Sequence, residues 1–85
     1  MTLQEFYEEL ETHRKPPSNN PYDDRVTHCY LVHEIKGIAH RFEVRSWNPI
    51  KDGVLNISVV NWTITAGPAS LDLTEDLVNE WKIVA

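Results

Sequence analysis

A single cysteine, Cys29, means that the chain cannot close an intramolecular disulfide. No apolar run approaches the roughly 20 residues that a membrane-spanning helix requires, so no membrane association is expected. The opening Met1-Thr2-Leu3-Gln4-Glu5 lacks the basic and apolar regions of a secretory signal, and with the lone cysteine this makes a reducing cytoplasm the expected setting. Also missing is any catalytic or cofactor motif of specific spacing, so neither a catalytic residue nor a cofactor is expected. Two glycosylation sequons, Asn56-Ile57-Ser58 and Asn61-Trp62-Thr63, fall inside a predicted strand and read as coincidence.

What remains is a chain of 85 residues, enough for one small domain that buries a modest share of its surface and gains from a partner subunit. The net charge of −5 is divided along it. Residues 1–24 carry six acids against Arg14 and Lys15, net −4; residues 25–51 carry five bases against Glu34 and Glu43, net +3; residues 52–85 carry five acids against Lys82, net −4. A basic middle between acidic ends bears on partners and association rates, not on fold.

The N-terminal segment predicts a helix to about residue 14. Thr2 and Glu5 have capping-box spacing, Leu3, Phe6, Tyr7 and Leu10 form an apolar stripe, and Pro16-Pro17 stops continuation. Glu5, Glu8 and Glu9 near its start and His13, Arg14 and Lys15 near its end complement the helix dipole, which accounts for the glutamates as a solvated face rather than catalytic carboxylates. Residues 16–25 are a polar connector suited to recognition. Its Asp23-Asp24 pair has no third oxygen ligand at a fixed spacing, so no metal is expected there.

Residues 26–47 predict a β-hairpin turning at Lys36-Gly37. In that register Thr27, Cys29, Leu31, His33 and Ile35 face Ser46, Val44, Phe42, His40 and Ile38 on a core side. Val26, His28, Tyr30, Val32 and Glu34 face Trp47, Arg45, Glu43, Arg41 and Ala39 on a mixed aromatic and cationic side. A third β-rich segment, 54–65, changes phase: Leu55, Ile57 and Val59 share one parity, Val60, Trp62 and Ile64 the other. Either a bulge near Val59-Val60 keeps one face buried, or both faces are covered and apolar surface around Trp47 and Trp62 awaits a partner. Beyond Gly67-Pro68, Thr74 reads as the N-cap of a second helix carrying Leu77, Val78 and Trp81, with Leu73 stapling to Val78 and Trp81–Val84 as a short final edge strand. The expected fold is therefore α+β: an N-terminal helix, a three-stranded antiparallel meander and a C-terminal helix with that final strand, both helices on the Leu31/Phe42 side. Glu75-Asp76-Leu77 followed by Trp81-Lys82-Ile83-Val84 resembles the endings of small phage-encoded accessory proteins, over about a dozen residues. The resemblance implies an accessory protein of a phage or mobile element.

Three functional classes fit these residues. A binding or inhibitory protein would engage a protein partner, or itself as a homodimer, through Trp47, Trp62 and the aromatic sheet face. A phosphate-bearing ligand, whether nucleotide or nucleic acid, would use His28, Tyr30, Arg41 and Arg45. A histidine-based enzyme or metal site would be built on His33 and His40, opposed near the hairpin tip but lacking a third group at fixed spacing. The non-enzymatic binding protein needs the fewest assumptions.

Overall fold

A computed structural model describes residues 1–14 and 29–85. The connector 16–25 with Asp23 and Asp24, and the first hairpin residues including Val26, Thr27 and His28, lie outside the described residues.

One helix, α1 (Leu3–Thr12), precedes five strands: β1 (Tyr30–Ile35), β2 (Ile38–Trp47), β3 (Leu55–Val60), β4 (Pro68–Leu73) and β5 (Trp81–Val84). The helix starts where its capping box predicts, with the Glu5 amide donating to Thr2 Oγ1 and the Thr2 amide donating to Glu5. Its stripe of Leu3, Phe6 and Leu10 is buried against Leu31, Phe42, Val44, Leu55 and Ile57. The sheet is antiparallel throughout, in the order β4-β3-β2-β1-β5.

The β1–β2 register is the predicted one over the described residues, Tyr30 opposite Glu43 through Ile35 opposite Ile38. Lys36 and Gly37 both take positive φ, 51° and 81°, the left-handed pair that a two-residue hairpin turn demands and that glycine adopts without steric cost. Past Val44 the prediction fails. Val44 pairs with Val59, but Ser46 pairs with Ser58 and Trp47 with Ile57, so a bulge inserts one extra residue into β2. The parity of every later β2 residue reverses. Trp47, expected on the mixed face, enters the core at 8% exposure, and Ser46, expected inside, is exposed.

Of the two readings of the phase change in the third segment, the bulge near Val59-Val60 does not occur in the pairing with β4. The β3–β4 register runs unbroken from Leu55 opposite Leu73 to Val60 opposite Pro68. Val59 and Val60 are both buried on opposite faces, at 4% and 2% exposure, and the strand ends there; residues 61–65 form a turn.

Two further corrections concern the C-terminal third. Residues 68–73 are a strand, whose alternation of Ala69, Leu71 and Leu73 with Pro68, Ser70 and Asp72 has period two. No C-terminal helix forms: after Thr74 come two successive turns, Leu77 N–H to Thr74 and Glu80 N–H to Leu77, the second a 3-10 turn over Val78–Glu80. Because β4 and β5 are opposite edges of a sheet about 19 Å across, residues 74–80 must carry the chain from one edge to the other. A helix advancing about 1.5 Å per residue has less reach than the 3-10 turn, at about 2.0 Å, and pairing of Trp81 with His33 leaves no residues to lengthen it. Leu55 and Leu73 join Val78, Trp81 and Ile83 in one cluster under the link. No described helix is long and apolar enough to cross a membrane.

The buried Trp47 needs an acceptor for its indole N–H, and Glu11 at the end of α1 supplies one at 2.8 Å. The Arg14 guanidinium lies 4.5 Å from the Trp47 ring centre and 2.9 Å from Glu11. Hydrogen bonds from Arg14 and then Trp47 hold the Glu11 carboxyl down at about 2. Since 36% of that side chain meets water, the pair is worth less than the shift alone suggests. Glu11→Ala strands the indole N–H and is expected to lower stability by about 1–2 kcal/mol in chemical denaturation at neutral pH. A carboxyl depressed in the folded state stabilises above its unfolded value. The difference between wild type and Glu11→Ala should therefore be full above about pH 4.5 and shrink as the pH falls toward 2.

Candidate binding surface on the outer sheet face

The sheet face turned away from α1 is built from the strand positions that alternate with the core. Following the registers across the strands, one row reads Val84, Tyr30, Glu43, Val60, Pro68 and the next reads Lys82, Val32, Arg41. On the far side of the β2 bulge the face is polar: Ser46 pairs with Ser58 and Ser58 with Ser70, while the Asn56 amide donates to Asp72 at 2.8 Å and to Ser70 at 2.5 Å. Aromatic, aliphatic and cationic groups are thus gathered on the β5-β1-β2 half.

The Arg41 guanidinium lies over the Tyr30 ring, 4.4 Å from its centre, and the arginine is exposed. Arg45 reaches Glu43 at 3.8 Å, and both are about three-quarters buried. Beside them stands the β3–β4 turn. Asn61 organises it: the side-chain amide donates to the Arg41 carbonyl at 2.9 Å, and its oxygen accepts from the Thr63 and Ile64 amides at 3.0 and 3.1 Å. The Asn61 amide donates to Thr65 Oγ1, whose hydroxyl contacts the Asn61 and Gly67 carbonyls. A turn so held presents Trp62 at 68% exposure and Ile64 at 44%. Between turn and sheet lies a shallow groove of about 280 Å³ lined by Tyr30, Arg41, Glu43, Val60, Asn61 and Trp62.

Of the residues singled out from sequence, Tyr30, Arg41 and Trp62 come together in this groove, and Arg45 adjoins it through Glu43. Trp47 does not, being in the core, and His28 lies outside the described residues. His33 and His40 are directly opposed as expected. The His33 ring, however, is stacked on Trp81 at 4.3 Å and 13°, and its Nδ1 is 3.1 Å from the Glu80 carbonyl. A carbonyl only accepts, so that contact selects the tautomer with hydrogen on Nδ1 and commits the ring to holding β5 in place. Among the described residues no group of three or more His, Cys, Asp or Glu could hold a metal ion.

Three contributors were missed from sequence: Val60, Asn61 and Lys82. The signal for Asn61 was its turn preference, since an asparagine accepting from the amide two residues on ends a strand as readily as it begins a sequon. Comparison with protein-family models, curated proteins and solved structures finds no match to the chain. Asn61→Ala removes the side chain that joins turn to sheet. The expected result is a loss of about 1 kcal/mol with weakened hydrogen-exchange protection of the Thr63 and Ile64 amides, while core amides such as Ile57 keep theirs.

Proposed function

We propose that the protein is a small non-enzymatic binding module, of the accessory or inhibitory kind, that acts by seating a protein partner on the outer face around Trp62. The observation that carries this reading is the exposure of Trp62 on a turn tied down by Asn61. An indole in water costs free energy, and a turn already ordered loses little entropy when a partner covers it; tryptophan, tyrosine and arginine are the side chains that most often dominate protein interfaces. The adjoining groove, with Val60 at its floor and Tyr30 and Arg41 along one wall, has the mixed character of such a centre. The phosphate-ligand alternative draws less support, since Arg45 already stands beside the Glu43 carboxylate on the same face.

Trp62 makes little contribution to the core, so its replacement leaves the fold intact and isolates the interface. In co-purification from host lysate, Trp62→Ala is expected to retain the partner at least tenfold less well than wild type, with Trp62→Phe between them. Equal retention by wild type and Trp62→Ala would overturn the proposal.

A further inference from the structure

We infer that the partner segment seated on this face is acidic, with two carboxylates about 10 Å apart flanking an apolar side chain. The inference rests on the protein-binding reading above and adds the chemistry of the partner to it.

The row Lys82, Val32, Arg41 places two cations on either side of one half-buried valine. Adjacent strands are about 4.8 Å apart, so the two side chains leave the sheet about 10 Å from each other. Both are exposed, and among the described residues neither has a carboxylate within ion-pair distance; the nearby Glu43 contacts Arg45. Tyr30 holds the Arg41 guanidinium by stacking, which leaves its hydrogen-bond donors for an incoming group. The apolar floor between the cations, Val32 and Tyr30 with Val84 beside them, continues to the Trp62 groove. A helical segment rises about 1.5 Å per residue, so carboxylates about seven residues apart share one face at about 10 Å and match the spacing of Lys82 and Arg41, and an apolar residue midway between them lies over Val32.

Other occupants fit this face less well. A second copy packed face to face over Val32 would set Arg41 against that copy's own arginine or lysine, whether the two-fold ran along or across the strands. Nucleic acid brings one charge per about 1.7 Å of duplex axis, and beyond Lys82 and Arg41 it would meet Glu34, Glu43 and Asp72 on the same face.

The test is selection of a displayed library of random peptides on the full chain. The selected peptides are then titrated against wild type, Arg41→Gln, Lys82→Gln and Trp62→Ala, each first shown to unfold at the wild-type temperature. Acidic pairs at the stated spacing are expected to be enriched, with binding at least tenfold weaker for either charge variant and weakened further by salt. Peptides that depend on Trp62 but lack acidic enrichment, or that bind Arg41→Gln and Lys82→Gln as well as wild type, would overturn this inference and leave the binding-module reading standing. Peptides indifferent to Trp62, or no peptides at all, would count against both. Displacement of the peptides by inorganic phosphate at matched ionic strength would overturn the acidic-peptide assignment in favour of a phosphate-bearing ligand.

Discussion

The extra residue between Val44 and Ser46 governs what each face of this sheet becomes. Without it, alternation from Phe42 would carry Ser46 into the core and leave Trp47 in solvent on the side away from the helix. With it, Trp47 packs in the core cluster and brings with it a donor that must be satisfied. Glu11 lies near enough to accept that hydrogen bond only if the end of α1 crosses the sheet beside β2. The bulge and the helix position are therefore one constraint seen from two sides, and the Arg14 guanidinium over the same ring completes it. The helix start is tied separately, through the Leu3 amide donating to Glu75 and the terminal amine to Asn79. Both ends of α1 are thus attached to segments distant in sequence, and a short amphipathic helix of marginal intrinsic stability is held in one place.

The placing of the last strand follows from an equally simple limit, the length of the link between β4 and β5. Its two tight turns bring β5 back to β1, where His33, Trp81 and Phe42 form a contiguous aromatic set with ring separations of 4.3 and 5.4 Å. A histidine pair that would otherwise invite a catalytic reading is in part the device that fastens the last strand. The rest of the core, from Leu55 and Leu73 to Val78, closes round the same cluster.

Local signals in the sequence were reliable where one interaction decided the outcome. The capping box of Thr2 and Glu5, the turn at Lys36-Gly37 and the pairing of Leu31 with Phe42 each depend on neighbours that the chain places side by side, and each stands in the structure. The failures came where a choice was settled elsewhere in the fold. Thr74 has every local mark of an N-cap, and the helix it would start is prevented by the pairing of Trp81 with a strand nearly fifty residues earlier. The alternation in residues 68–73 is visible in the sequence, but these six residues lie between a Gly-Pro break and an N-cap signal, which draw the reading past them. The bulge left a trace as well, a serine at a core position followed by a tryptophan at a surface one. Reading both as a phase change in β2 would have moved Trp47 inward and left Trp62 as the exposed aromatic of the candidate surface.

The outer face carries its own internal contrast, and that contrast locates the interaction. On the β3–β4 side Asn48, Asn56, Ser70 and Asp72 hydrogen-bond one another, so a partner covering that surface finds polar groups already engaged and little apolar area to remove from water. Strand β4 also begins with Pro68, which lacks an N–H, and points Asp72 outward, both of which discourage a further strand from adding to that edge. On the β5-β1-β2 side the arrangement is reversed: an indole stands in solvent at its border, a guanidinium is held over a tyrosine ring with no carboxylate beside it among the described residues, and aliphatic groups lie between. Covering this half removes apolar surface from water and completes an unfinished charge set, whereas covering the other half does neither. A partner that gains free energy from contact with the sheet therefore gains most of it here, on the half that β5 extends and the Asn61 turn borders.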